Sequence, residues 1–139
     1  ERTRDGMQLK RWIWLLLICV MVSGCSEKEE EPQRTALEYT VVTAENLPEE
    51  LAELIENQKQ NECRLTYEAD GYLYIVRGYG KQDTGGYSIS VEECSILENT
   101  VYVSTTLIGP TRKQEITQSE SYPFIVLKIE QTDKEVSFS

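Results

Sequence analysis

Short runs in which apolar and polar residues alternate with a period of two fill most of the chain between residues 37 and 139. This period is typical of half-buried β-strands, and the intervening Gly, Pro, Asn and Asp residues are typical of turns. One segment has a helical period instead, because Leu51, Leu54 and Ile55 stand at i, i+3 and i+4. We therefore predict a mainly β domain, an antiparallel β-sandwich or open barrel with one short N-terminal helix.

Three local patterns define parts of this fold. Leu37–Val42 is rich in β-branched and aromatic residues and predicts the first strand. Asp70-Gly71 lies between two alternating runs and predicts a type I′ hairpin, since both central residues of that turn need positive φ. The side-chain parity changes between Val91 and Cys94, which predicts a β-bulge at Glu92–Glu93.

The N-terminal residues have the order of a secretory signal peptide. Read from Met7, two basic residues precede an apolar run from Trp12 to Val22, and small residues then precede a cysteine. The ending Val22-Ser23-Gly24-Cys25 resembles a bacterial lipobox, which implies that Cys25 is diacylated and becomes the mature N-terminus. The apolar run is about half the roughly 20 residues that span a bilayer, so a transmembrane helix is the poorer interpretation.

The chain therefore divides into three predicted parts. These are a lipoprotein signal peptide at residues 7–24, an acidic tether at residues 25–36 and the β domain at residues 37–139. Because two acyl chains together give stable anchoring, we expect the mature protein at the extracytoplasmic face of a bacterial cell membrane, held by its lipid.

The charge of the mature part limits its partners. Residues 25–139 carry 10 Lys and Arg against 22 Asp and Glu, a formal charge of −12. Such a surface is repelled by nucleic-acid phosphates and by anionic lipid headgroups. We expect no nucleic-acid partner, and membrane contact through the N-terminal lipid alone.

Two cysteines, Cys63 and Cys94, remain in the predicted domain. In an oxidising compartment they can form one disulfide, and we predict that pairing. The alternative is two separate buried thiols that act as small hydrophobes.

The chain contains no histidine. This excludes Ser-His-Asp and Cys-His nucleophilic arrangements and removes the commonest transition-metal ligand. The adjacent acids Glu92 and Glu93 point to opposite faces of a regular strand, so they would flank one bond, as a glycosidase pair does, only if the bulge re-aimed one of them. We predict no catalytic residues, no metal site, no cofactor and no enzymatic activity.

A glycine-rich loop, Gly78 to Gly86, joins two predicted strands. It does not suit a phosphate, because it opens no helix and acidic residues surround it. Two interpretations remain: a flexible hairpin loop, or a recognition loop whose glycines permit close approach and whose tyrosines supply amphipathic contacts. For the second, we predict a binding site made by Tyr79, Lys81, Asp83, Thr84, Gly85, Gly86 and Tyr87.

The same loop belongs to a longer sequence pattern. Residues 77–91 contain Gly-x(n)-Thr-Gly-Gly-Tyr-Ser followed by a hydrophobic residue. Val101-Tyr102-Val103, Pro110 and the Tyr-Pro strand Tyr122–Lys128 come after it. From about Ala69 to Ile129, the chain resembles the C-terminal domain of the protease complex subunit PrcB family.

This resemblance implies a setting and a role. Members of that family are bacterial lipoproteins, and in one described case the protein associates with and stabilises a secreted serine protease. We therefore expect a lipid-anchored protein-binding domain, an accessory or stabilising subunit of a protease complex whose partner is a secreted or surface protease. Thr84–Tyr87 is also loosely similar to the Thr-Thr-Gly-Tyr loop of chagasin-type cysteine-peptidase inhibitors. The alternative function is a chagasin-like inhibitor that acts through the glycine-rich loop.

Overall fold

Two four-stranded sheets and one helix make up the part of the chain that the structure, a computed structural model, describes: residues 32–113 and 116–139. A short 3₁₀ turn at Ala44–Asn46 precedes the helix α1, Glu49–Gln58. The strands are β1 Thr35–Ala36, β2 Thr40–Val41, β3 Glu62–Ala69, β4 Tyr72–Tyr79, β5 Ser88–Leu97, β6 Thr100–Ile108, β7 Phe124–Glu130 and β8 Glu135–Phe138.

The first sheet has the order β1-β5-β6-β8 and the second has the order β2-β7-β4-β3. Neighbouring strands are antiparallel except for β6 and β8, which are parallel. The two sheets pack face to face, because one apolar cluster contains Leu73, Ile75 and Leu127 from the second sheet with Val101 and Val103 from the first. The predicted antiparallel β-sandwich with one short helix is confirmed.

Strand β4 contributes to two cores because successive side chains point to opposite faces of a sheet. Leu73 and Ile75 face the first sheet, whereas Tyr74 and Val76 face the helix. On the helix, Leu51 and Ile55 are 0% and 4% exposed and pack against this second cluster. Full burial of each aliphatic side chain stabilises the fold by about 1.5–3 kcal/mol. The packing of Leu51 and Ile55 against the second cluster therefore holds the helix on the sheet.

The segment predicted as one strand, Leu37–Val42, is instead divided between the two sheets. β1 lies just before it and pairs with β5, and the amide of Leu37 donates to the carbonyl of Cys94 at 2.9 Å. After a crossing, β2 pairs with β7, and the amide of Val42 donates to Val126 at 2.9 Å. The prediction of a single strand is wrong, because the chain crosses the edge of the sandwich within these residues.

Local turn chemistry is as predicted. Asp70 and Gly71 have φ values of 58° and 84°, as a type I′ hairpin requires. The register of β5 with β6 shifts between Val91 and Glu93, which leaves Glu92 as the extra residue of a β-bulge. The bulge brings Val91 and Cys94 to the same apolar cluster.

The predicted disulfide between Cys63 and Cys94 is wrong, and both residues are free buried thiols. Cys63 packs in the cluster beneath the helix, and a Cβ added to Gly78 would lie 2.9 Å from its sulfur. Cys94 packs between the two sheets. Because the second sheet separates the two clusters, the thiols lie on opposite faces of it, and burial raises the pKa of each.

The predicted signal peptide and Cys25 lie outside the described residues. Within the described ranges, no helix combines the length and the apolar composition needed to cross a membrane. Residues 34–139 form one compact unit.

Candidate recognition surface

The glycine-rich loop is held in place by the segment that precedes β7. We call these two segments, residues 80–87 and 116–123, the paired loops. The backbones of Gln82 and Ser121 exchange two hydrogen bonds, of 2.8 and 3.0 Å. The amide of Gly85 donates to Thr117 at 3.2 Å, and the hydroxyl of Ser121 donates to the carbonyl of Thr84 at 2.7 Å. The loop therefore has a fixed backbone path, unlike a merely flexible hairpin loop.

Close approach of backbone explains two of the glycines. Gly85 is buried, and a Cβ added there would lie closer than 3.0 Å to Thr117 Oγ1. Gly80 has a φ of 79°, and a Cβ on it would lie 3.2 Å from the backbone of Asn61. The predicted close approach at this loop is thus made within the chain itself.

The seven predicted binding residues differ in accessibility. Lys81, Asp83 and Gly86 are exposed. The half-buried residues are Tyr79, Thr84 and Tyr87. The accessible surface of the loop therefore includes one cation, one carboxylate, the backbone at Gly86 and parts of Thr84 and of the tyrosine rings.

An ion pair and a hydrogen bond extend this surface onto the second of the paired loops. Lys81 Nζ lies 3.0 Å from one carboxylate oxygen of Glu120, and the hydroxyl of Tyr122 donates to the other at 3.2 Å. The hydrogen bond from Lys81, followed by that from Tyr122, lowers the pKa of Glu120. An exposed pair of this kind contributes little stability, so its main effect is on the local charge pattern.

Tyr79 has an internal role in the structure. Its hydroxyl hydrogen-bonds with Thr105 across the two sheets, and the guanidinium of Arg77 lies 3.9 Å from its ring centroid. Arg77 is 8% exposed, donates to the carbonyl of Gly78 and lies 3.4 Å from Glu62. Tyr79 thus closes this end of the sandwich beneath the loop.

Sequence reasoning did not identify a groove at the other end of β4. It has a volume of about 820 Å³ and lies where the chain crosses from β1 to β2. Tyr39 and Tyr72 on its wall are 40% and 39% exposed, and Lys128 Nζ lies 4.1 Å from the ring centroid of Tyr72. No sequence signal marks it, because the groove depends on the crossing that the strand pattern did not reveal.

Comparison with known proteins gives a family match for part of the chain. Residues 73–130 match the family model described as PrcB C-terminal, and this part of the chain belongs to that family. The matched range contains both the glycine-rich loop and its neighbour, including Thr84–Tyr87 and Tyr122-Pro123. Neither characterised protein sequences nor solved structures give a significant match.

Proposed function

We propose that this protein is a lipid-anchored, extracytoplasmic and non-enzymatic binding domain, an accessory or stabilising subunit of a protease complex. The family match to the PrcB C-terminal domain supports a protease-complex association. The lipobox-like ending at Cys25 supports the anchor, and the lack of histidine in the sequence supports a role without catalysis.

The fixed geometry of the paired loops is the observation that carries the proposal. Ordering a flexible loop on binding costs free energy, and a loop already fixed avoids most of that cost. Hydrogen bonds from Gly85 and Ser121 fix the path of the glycine-rich loop while Asp83 and part of Tyr87 remain accessible. Tyrosine at the centre of an interface commonly contributes strongly to binding.

The test begins with identification of the partner. Cells that produce the tagged full chain are crosslinked, the complex is purified from membranes, and the partner is identified by mass.

Cys25→Ala should remain unlipidated and leave the membrane fraction as an unprocessed or mislocalised form, because acylation needs that thiol. Membrane fractionation and processing like those of the parent would contradict the anchor.

Capture of the partner is then measured with folded variants. Tyr87→Ala and Asp83→Lys should each lower capture at least tenfold, which corresponds to about 1.4 kcal/mol of binding free energy. Tyr39→Ala is the matched control, because it removes an exposed tyrosine at the groove. Loss of capture with Tyr39→Ala but with neither loop variant would place the interface at the groove and contradict the loop.

The effect on the partner separates an accessory subunit from an inhibitor. An accessory subunit lengthens the half-life of the protease and leaves its turnover of substrate intact. A chagasin-like inhibitor would block turnover at stoichiometric concentration, and this result would contradict the accessory role.

A further inference from the structure

Strand β3 has the longest open edge among the described residues. It lies last in the second sheet, pairs only with β4 and has eight residues without a bulge or a proline. The other edge strands, β1, β2 and β8, have two, two and four residues. Proteins usually blunt an edge by shortness, proline, bulges or charged side chains. Of these, β3 has only charged side chains, Glu62, Arg64 and Glu68, and their signs are mixed.

The hairpin turn determines which backbone groups point outward. Asp70 and Gly71 form the turn, so Ala69 is hydrogen-bonded to Tyr72 and its polar groups face β4. Hydrogen-bonded and non-hydrogen-bonded pairs alternate along an antiparallel ladder. The amides and carbonyls on the open edge therefore belong to every second residue: Glu62, Arg64, Thr66 and Glu68.

The side chains on this strand are complementary to a second copy of themselves in one register. In an antiparallel pair centred on Thr66, each Arg64 lies opposite a Glu68, and each Leu65 lies opposite a Tyr67. Opposite charges directly across an antiparallel ladder stabilise the pairing, and the contact of Leu65 with Tyr67 buries apolar surface. All of the four paired side chains are exposed or half-buried in the single chain.

Other registers are disfavoured by charge or by length. Centring the pair on Leu65 places Glu62 opposite Glu68 within the strands, and centring it on Arg64 places that residue opposite itself. In the register centred on Thr66, Glu62 lies beyond the paired segment, opposite the turn residue Asp70. Centring the pair on Tyr67 shortens the paired segment. A one-residue change in register between the two copies of β3 would place side chains from opposite faces of the sheet across from each other.

We propose that two copies of this chain associate through β3, centred on Thr66, and join their second sheets into one continuous eight-stranded sheet. The contact is isologous, since the same residues lie on both sides of a two-fold axis. It uses neither the paired loops nor the groove, so both remain available to another partner.

Cysteine crosslinking of the full chain in the producing cells tests the register. In a hydrogen-bonded antiparallel pair the opposing Cα atoms are about 5.5 Å apart, within the range of a disulfide. Thr66→Cys should therefore give a reducible covalent dimer under mild oxidation. Glu68→Cys is the matched control, because the two copies of that position would lie about 14 Å apart along the strands. Its dimer yield should be at least tenfold lower, and the parent chain sets the background.

A charge swap gives an independent readout on the full chain in detergent. Arg64→Glu places like charges opposite each other twice and should raise the dimer dissociation constant at least tenfold. Adding Glu68→Arg to it restores opposite signs and should restore dimerisation. Sedimentation velocity measures both, with circular dichroism to establish that each variant is folded.

Three outcomes would overturn the proposal. The first is a parent chain that remains monomeric at tens of micromolar. The second is equal crosslinking through residues 66 and 68, which would indicate random collision. The third is crosslinking of residue 66 to a different protein and not to itself, which would show that another polypeptide occupies the edge.

Discussion

Replacement of Gly85 by alanine tests the paired loops through a single atomic contact. A Cβ on Gly85 would lie closer than 3.0 Å to Thr117 Oγ1, but 3.5 Å from Thr117 Cβ and 3.6 Å from its Cγ2. The last two distances are ordinary contacts, so the hydroxyl oxygen alone creates the clash. Gly85 is not among the glycines with positive φ, and the penalty is therefore steric and not conformational.

The size of the effect follows from what must move. Either Thr117 leaves its rotamer, or its segment withdraws from the loop and the 3.2 Å hydrogen bond from the amide of Gly85 is lost. Overpacking at a close contact costs about 1–3 kcal/mol, and one net hydrogen bond about 1 kcal/mol. We expect Gly85→Ala to lower the free energy of unfolding by about 1–3 kcal/mol. The melting temperature should fall by about 4–8 °C for each kcal/mol.

A double-mutant cycle measured by urea unfolding, with circular dichroism as the signal, isolates the contact. Thr117→Ala alone removes the hydroxyl of an exposed residue and should change stability by less than about 0.5 kcal/mol. In the presence of Thr117→Ala, the Gly85→Ala change should become nearly neutral. Two results would refute the close contact between Gly85 and the Thr117 hydroxyl: a Gly85→Ala chain as stable as the parent, or a double variant no more stable than Gly85→Ala alone.

Two further predictions concern the thiols and the acid range. Cys63 and Cys94 should show no mass loss from a disulfide without reductant, and they should react with a thiol reagent only after unfolding, because both are buried; fast labelling of the folded chain at either position would contradict their packing. The hydrogen bond from Ser95, followed by that from Arg34, lowers the pKa of Glu93. A carboxyl whose folded pKa is depressed stabilises the fold above its unfolded pKa of about 4.3, and this contribution is lost as the pH falls through the folded pKa. Glu93→Gln should therefore flatten the fall in melting temperature between about pH 5 and pH 3, with Glu92→Gln as the matched control; an unchanged pH profile would contradict the contact.

Local features could be predicted from the sequence because a few adjacent residues determine them. The turn at Asp70 and Gly71 depends on backbone angles that these two residues adopt readily. The bulge at Glu92 was detectable because one extra residue reverses the side-chain parity that follows it. The helix period identified Leu51 and Ile55, which are buried, although Leu54 of the same predicted set is 37% exposed.

Features that depend on the arrangement of whole elements could not be predicted in this way. Side-chain parity shows that Cys63 and Cys94 are both buried, but not that one faces the helix and the other the first sheet. The division of residues 35–42 between two sheets has the same origin, since each part satisfies a strand pattern whichever sheet it joins. The groove at Tyr39 follows from that crossing and was missed with it.

Some residues of the glycine-rich loop fix its backbone, and others have exposed side chains that a partner could contact. Gly85, in the Thr-Gly-Gly-Tyr pattern, is buried where the backbone meets Thr117, so this element of the pattern builds the paired loops. Lys81 and Asp83 occupy the x(n) positions and are exposed. Exposed side chains on a fixed backbone alter which partner binds without altering the fold, because their substitution changes contacts and charge but not packing. The pattern therefore predicts the backbone shape of this surface, and we propose that the exposed side chains at residues 81 and 83 contribute to the choice of partner.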